Sequence, residues 1–324
     1  MTEDELVSAL AERVRDIAPA KLMVGIGDDA AVWQPSRSNR SVITTDALVE
    51  GIDFTKEAMS AQDAGHRALA ANLSDLAAMG ARPVLATIAL GFPPGTDPDW
   101  LLACYDGIAA LARRTKCAIA GGDITRAPSI VLSIAAVGEV RASNCKTRSG
   151  ARPGDVLVST GRLGASRAGL LVALDRPDLA ADPAFADVLA AFRRPEPRLR
   201  EGRWLAASRH VHALMDCSDG LSTDVSRMCV ASRCAAVVET VPVDEGARRV
   251  AARTGDDPER YALDGGEDFE LLAAVDKRAF VHVARRFRER FAKDLVKIGT
   301  ITEGAGVRFA NGAAIAPAGW DHLR

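Results

Sequence analysis

AQDAGHRALAANLSDLAAMGARPVLATIALG, residues 61–91, reads as a helix that stops and a strand that follows. Ala61–Met79 has the Ala- and Leu-rich pattern of a long helix. Gly80 ends it, and Pro83 just beyond prevents its continuation. Val84–Gly91 is then an apolar run of strand length. The order recurs at once, with a helix over Trp100–Arg114, a strand over Cys117–Gly121 and a longer strand over Ile130–Val140. Upstream, Ser41–Asp46 is a short β-branched strand. Thr2–Ile17 is a helix in which Thr2 and Glu5 match a capping box and Leu6, Leu10, Val14 and Ile17 share one face. Alternation of this kind predicts an α/β or α+β class.

The segment RSGARPGD, Arg148–Asp155, interrupts the pattern with Gly150, Pro153 and Gly154. It reads as the junction between two α/β domains of roughly equal size, over 1–147 and 148–324. The second half continues with a strand at Val156–Thr160, helices at Ala168–Leu174 and Ala184–Phe192, and a strand at Val211–Asp216. A helix from Leu221 follows, then strands at Ala235–Val241, Glu270–Val275 and Val296–Ile301.

A chain of 324 residues accommodates two such domains. Its 48% hydrophobic and 26% charged residues are those of a globular protein. With 43 acidic against 41 basic residues the net charge is −2, which argues against a general nucleic-acid partner. The best apolar runs, Val84–Leu90 and Ile130–Val140, fall short of the roughly 18–20 residues of a membrane span. The acidic amphipathic start MTEDELVSAL is neither a secretory signal nor a transit peptide, so a cytoplasmic location is expected. Six dispersed cysteines without a CxxC pair read as reduced thiols.

Aspartates recur at strand ends and in Gly-containing turns: Gly27-Asp28-Asp29, Thr44-Thr45-Asp46, Asn72-Leu73-Ser74-Asp75, Gly121-Gly122-Asp123, Asp216-Cys217-Ser218-Asp219-Gly220 and Gly265-Gly266-Glu267-Asp268. Any one of them has a plain explanation as a turn or cap residue. The whole set, repeated in one context beside apolar strands, points elsewhere: a lone carboxylate near a core edge is costly, and a bound cation relieves the cost. Hard oxygen donors without histidine or thiolate favour Mg²⁺, Ca²⁺ or Mn²⁺ over zinc. Gly25-Ile26-Gly27-Asp28-Asp29-Ala30 fits a dinucleotide fingerprint, but two aspartates inside the loop would repel a pyrophosphate. No P-loop, protein-kinase set or G-x-S-x-G elbow occurs. His210 and His212 alternate on one strand face and read as partly exposed strand residues rather than a metal pair.

GIGDDAAV, TTDALVEG, NLSDLAAMGARP, GGDITR, RSGARPGD, STGRLG, MDCSDGLSTD and GGEDFEL follow one another in an order that resembles the thiamine-monophosphate kinase family. That family lies within the aminoimidazole ribonucleotide synthetase-like superfamily, and the resemblance runs from about Gly25 to Trp320. It implies a two-domain fold of α/β and α+β class: an amino-terminal α/β domain whose sheet pairs across a homodimer to form a barrel, and a carboxy-terminal mixed α+β domain. It implies phosphorylation of thiamine monophosphate by ATP to give thiamine diphosphate. By position it implies Mg²⁺ at Asp29, Thr44, Thr45, Asp46, Asp75, Asp123, Asp216 and Asp219. It further implies ATP at Gly122, Asp123, Arg148 and Ser218, and substrate at Glu267 and Trp320. No protein nucleophile is expected, because a phosphate oxygen is already ionised at neutral pH.

Two positions depart from the family pattern. Where the family has a histidine on the substrate side, this chain has Asp53 in Gly51-Ile52-Asp53-Phe54, and it ends His322-Leu323-Arg324 where Phe commonly follows His. Both changes concern acceptor recognition, which makes a kinase for another small acceptor, such as α-ribazole, the alternative within the superfamily. A Mg²⁺-dependent phosphohydrolase is the alternative outside it. The selenophosphate-forming and hydrogenase-maturation branches need cysteines that are absent, since the first cysteine is Cys104 and the last Cys234.

Overall fold

The computed structural model describes residues 2–17, 21–26 and 30–319. The chain forms two compact units, Met1–Leu76 with Ala81–Ala142, and Ala77–Gly80 with Ser143–Arg324.

The first unit opens with α1 (Glu3–Val14). The Thr2 hydroxyl accepts the Glu5 N–H at 3.2 Å, and the Glu5 carboxylate accepts the Thr2 N–H at 2.8 Å, which completes the expected capping box. Short strands β1 (Leu22–Val24) and β2 (Val32–Trp33) pair antiparallel. Strand β3 (Asn39–Val49) follows, then α2 (Ala61–Ala78), β4 (Arg82–Phe92), α3 (Pro98–Thr115), β5 (Ala118–Arg126) and β6 (Val131–Arg141). The four long strands run in the order β3-β6-β4-β5, with β4 and β5 parallel and the other pairs antiparallel. Helices α2 and α3 cross at backbone contact. A Cβ on Gly65 would lie 1.9 Å from the Cys104 carbonyl oxygen, and one on Gly107 would lie 1.9 Å from that of Gln62.

The buried carboxylate of Glu139 on β6 ties together the approach to β3 and the start of β4. It accepts the Ser36 N–H at 2.7 Å, the Ser36 hydroxyl at 2.8 Å, the Asn39 amide at 3.2 Å and the Arg82 guanidinium at 3.2 Å. Burial acts to raise its pKa, but these bonds outweigh it and hold the group below its ordinary value.

The second unit contains β7 (Val156–Ser159), α4 (Ala165–Asp175), α5 (Pro177–Ala180), α6 (Ala186–Arg193), α7 (Leu199–Ala206), β8 (Val211–Cys217) and α8 (Leu221–Ser232). It continues with β9 (Ala235–Val238), α9 (Glu245–Thr254), α10 (Pro258–Asp264), β10 (Glu270–Val275), α11 (Phe280–Phe291), β11 (Val296–Thr302), β12 (Gly306–Phe309) and β13 (Ala314–Ile315). Seven strands run in the order β13-β12-β9-β11-β7-β10-β8, and only the β12/β9 pair is parallel. Leu157, Met215, Leu272 and Ile298 of this sheet pack with Phe185, Val188, Val225 and Met228 of the helices to form the core.

The long strands and α2, α3, α4 and α8 lie where the sequence pattern predicts them, but β3 and β5 run on to Val49 and Arg126, so Asp46, Gly122 and Asp123 fall within strands rather than at strand ends or in turns. Helices α7, α9, α10 and α11 do not figure in that pattern, because their apolar stripes are narrow. In α11 only Val283 and Phe287 are buried, among four arginines. All six cysteines are free, five of them buried. His212 pairs with the Asp155 carboxylate at 2.9 Å rather than with His210.

Two outcomes are expected. Gly107→Ala forces α2 and α3 apart and lowers stability by at least about 1–3 kcal/mol, read from urea unfolding. Glu139→Gln costs about 1–3 kcal/mol near neutral pH. Because its folded pKa is depressed, the contribution of Glu139 is present above the unfolded value and lost as pH falls through the folded one. The variant therefore shows a flatter acid limb in unfolding measured from pH 7 to pH 3.

Candidate functional site

In the amino-terminal unit the predicted residues gather on β3 and α2. Alternation along β3 puts Thr44, Asp46 and Leu48 on the half-buried to buried side, and Thr45 with Ile43 and Ala47 on the exposed side. The Thr44 hydroxyl donates to the Asp75 carboxylate on α2. Asn72, with no solvent exposure, accepts the Asp46 N–H at 3.1 Å and donates to the Ala68 carbonyl at 3.1 Å. It thereby covers the open edge of β3 just where Asp46 sits. Thr44, Asp46 and Asp75 thus converge as oxygen donors, while Thr45 points from the opposite face.

Gly122 and Asp123 lie on β5, at the other edge of the same sheet. Register puts Asp46, Ile134, Ile88 and Gly122 on one rung. Three strand spacings of about 4.8 Å separate the two edges by roughly 14 Å, too far for one ion to touch both. A Cβ on Gly122 would fall 2.0 Å from the Ile88 carbonyl oxygen, so only glycine fits. Asp53 follows β3 in a turn, where its carboxylate accepts the Val49 N–H at 2.8 Å.

In the carboxy-terminal unit sheet register brings two of the aspartate loops together. Cys217 at the end of β8 pairs with Glu270 at the start of β10, so Ser218-Asp219-Gly220 and Gly265-Gly266-Glu267-Asp268 meet at one end of the sheet. The Glu267 N–H donates to the Ser218 carbonyl at 2.7 Å and the Phe269 N–H to the Cys217 carbonyl at 3.0 Å. Glu267 and Phe269 both take left-handed backbone conformations, φ 66° and 50°. Such strain in non-glycine residues persists only where surrounding bonds impose it. Asp216 is 5% exposed at the end of β8. The loop after β7 joins the same cluster through Thr160, whose hydroxyl donates to Glu270 at 2.5 Å. Arg198 also holds that carboxylate, at 2.5 and 3.0 Å.

Residues outside the predicted set shape this loop. Asp224 on α8 is fully buried and accepts the N–H groups of both Ser218 and Asp219 at 3.0 Å. Burial pushes its carboxyl up to about 6. Arg227, one turn on, donates to Asp219 and, at 3.1 Å, to Asp224. Asp268 accepts the N–H groups of Gly164 at 2.6 Å and Ser166 at 3.0 Å and so caps α4. The available signal for Asp224 is an acid in the first turn of a helix whose N-cap is glycine.

Arg148 lies elsewhere. Its carbonyl accepts the Ser232 hydroxyl at 2.8 Å, at the last residue of α8. Ser218 precedes the first residue of α8, and 12 helical residues span about 18 Å. The chain leading to Trp320 docks at the Ser218 end, with the Ala318 N–H on the Ser222 hydroxyl at 3.2 Å and the Gly319 N–H on that of Thr223 at 3.1 Å. Asp29 and Trp320 themselves lie outside the described residues. Among the described residues no three His, Cys, Asp or Glu side chains form a ready-made metal cage.

Burial, with the charges of Glu270 and Asp244 adding to it, pushes the Asp268 carboxyl up to about 7 despite its two amide bonds. An unfolded aspartate titrates near about 4, so the folded state binds more protons between these values and stability falls as pH rises through that window. Asp268→Asn should remove this part of the slope, narrowing the gap between urea-unfolding stabilities at pH 5 and pH 7.5.

Residues 27–140 match the AIR synthase related protein, N-terminal domain, and residues 152–310 the AIR synthase related protein, C-terminal domain. A thiamine-monophosphate kinase of Synechococcus elongatus is 38% identical over 285 residues, covering 86% of this chain and 84% of that protein. The crystal structure of thiamine-monophosphate kinase from Stenotrophomonas maltophilia superposes with a TM-score of 0.85 at 35% identity, over 94% of this chain and 96% of that one. A structure of AaThiL complexed with AMPPCP and TMP superposes with a TM-score of 0.78 at 28% identity, over 99% and 96%. With the same two domains and more than a third of its residues shared along most of its length, the chain belongs to the thiamine-monophosphate kinase family.

Proposed function

We propose that this protein phosphorylates thiamine monophosphate with ATP to give thiamine diphosphate and ADP. The observation that carries the reading is the extent of the family likeness, 38% identity over 86% of the chain, together with a neighbour of like fold that holds AMPPCP and TMP.

The donor chemistry supports Mg²⁺ as the accompanying ion. Thr44, Asp46 and Asp75 in one unit, and Asp216 and Asp219 in the other, offer hard oxygens without histidine. Asp29, Thr45 and Asp123 complete the proposed set by position. Mg²⁺ held there would screen the charge of two phosphate-bearing substrates and leave its remaining positions to phosphate and water. The chain's own residues have simpler tasks. Arg148 neutralises ATP phosphate; Ser218, with Gly122 and Asp123, positions the nucleotide. Glu267, held in its strained conformation by the Ser218 carbonyl, faces the acceptor together with Trp320, and Asp53 sets the acceptor loop through Val49. No side chain acts as nucleophile: an ionised oxygen of the acceptor phosphate attacks the γ-phosphorus in line.

A homodimer suits this arrangement. Asp46 and Gly122 lie on opposite sheet edges, and Arg148 and Ser218 at opposite ends of α8, so a second copy offers a means of completing each set. The domain over 1–147 is proposed to bind metal and ATP and to dimerise. A cytoplasmic location agrees with the family's biosynthetic chemistry; among the described residues no helix is long and apolar enough to cross a membrane.

The test is Mg²⁺-dependent ATP turnover with and without thiamine monophosphate, with products identified by mass. Thiamine diphosphate equimolar with ADP is the expected result. Inorganic phosphate without an acceptor would instead indicate a phosphohydrolase, and ATP binding without product would redirect the search to acceptors such as α-ribazole. Asp219→Asn should lose at least the roughly 10–100-fold that an outer-shell change costs, measured at sub-millimolar Mg²⁺. Asp53→Ala should raise KM for thiamine monophosphate several-fold while KM for ATP changes little.

A further inference from the structure

Arg227 has no part in the family pattern described above, yet it contacts one of its central carboxylates. Its Nη1 donates both to Asp219 and, at 3.1 Å, to Asp224. Asp224 is a fixed support: it is fully buried, and its other oxygen is taken by the Ser218 and Asp219 N–H groups at 3.0 Å each. Arg227 is not fixed in the same way. Its side chain is 43% exposed against 26% for Asp219, so the guanidinium can leave the carboxylate by rotating into solvent with little disturbance of the packing. A partly exposed pair of this kind is weak enough to be displaced and close enough to compete.

We propose that Arg227 is a resident counter-ion of Asp219, a positioning residue that occupies its carboxylate in the metal-free protein and competes with a divalent cation for it. The inference rests on the reading of Asp219 as a metal ligand. Asp224 holds the loop backbone in the ligating shape throughout, while Arg227 neutralises the charge that the loop would otherwise present with no cation bound. The exchange moves charge without moving the backbone: as the cation engages Asp219, the guanidinium remains on Asp224 or turns to solvent. Arg227 thereby sets the cation concentration at which the loop loads.

The experiment is a titration of the full-length protein with Mn²⁺ alone, following free Mn²⁺ by electron paramagnetic resonance, with no nucleotide and no turnover. Arg227→Gln should bind Mn²⁺ about three- to fivefold more tightly than wild type, the upper part of the range in which a partly exposed ion pair acts. Arg227→Lys keeps a positive charge beside Asp219 and should return to within about twofold of wild type. Asp219→Asn should weaken binding in both the wild-type and the Arg227→Gln background. Equal or weaker binding by Arg227→Gln overturns the proposal, including the case in which neither protein binds Mn²⁺. If Asp219→Asn weakens binding but Arg227→Gln does not tighten it, competition fails while the ligand role of Asp219 stands. If Asp219→Asn changes nothing, the ligand role itself fails and the competition with it.

Discussion

Asp224 is shut away from water, and its two oxygens accept from two consecutive backbone N–H groups and a guanidinium. The N-terminus of α8 has no ordinary cap, because its N-cap is Gly220 with φ 100°. That glycine is required, since a Cβ there would lie 2.7 Å from the Leu263 carbonyl oxygen. An acid from within the helix instead reaches back to the loop in front of it and satisfies two N–H groups there that would otherwise be buried and unpaired. The carbonyls of Cys217 and Ser218 then face outward to receive the N–H groups of Phe269 and Glu267. The second aspartate loop and its two left-handed residues hang on that exchange. One buried carboxylate thus orders two loops, beside the first turn of α8 on which the chain that leads to Trp320 docks.

The amino-terminal unit solves a similar problem with a neutral group. Asn72 covers an exposed strand edge without adding charge, which leaves Asp46 and Asp75 as the charged oxygens beside it. Joining two polyanions requires opposing charge that is mobile and dense, and carboxylates are suited to holding small hard cations. Charge balance runs through the structure in this form. Arg227 sits on Asp219, Arg198 on Glu270 and Arg82 on Glu139, so each of these carboxylates has a partner in the folded chain.

Much of this was readable from the residues. Thr2 and Glu5 specified their capping box, Gly80 ended α2 with φ 68°, and Glu270–Val275 was legible as a strand because the apolar run Leu271–Val275 within it needs burial on both faces. The aspartate loops stood out for their repeated Gly, Ser and Thr context. The helices of the carboxy-terminal unit were less legible. Helix α9 buries only Gly246, Ala247, Val250 and Ala251, small residues that carry little periodic signal. Asp224, Asn72 and Asp268 could not be told from ordinary polar residues, because what distinguishes them is the backbone each one reaches, up to 104 positions away for Asp268.

By itself, then, the amino-acid sequence determined the class of fold, the order of its principal elements and the chemistry of the candidate site, since periodicity, turn residues and donor type are local properties. Which donors meet was decided by tertiary structure alone. Antiparallel register sets Glu270 opposite Cys217 and so joins two loops about fifty residues apart, whereas four-stranded order sends Asp46 and Gly122 to opposite edges of one sheet. Pairing between strands distant in sequence depends on how whole faces bury against one another, and no local pattern of residues contains that information.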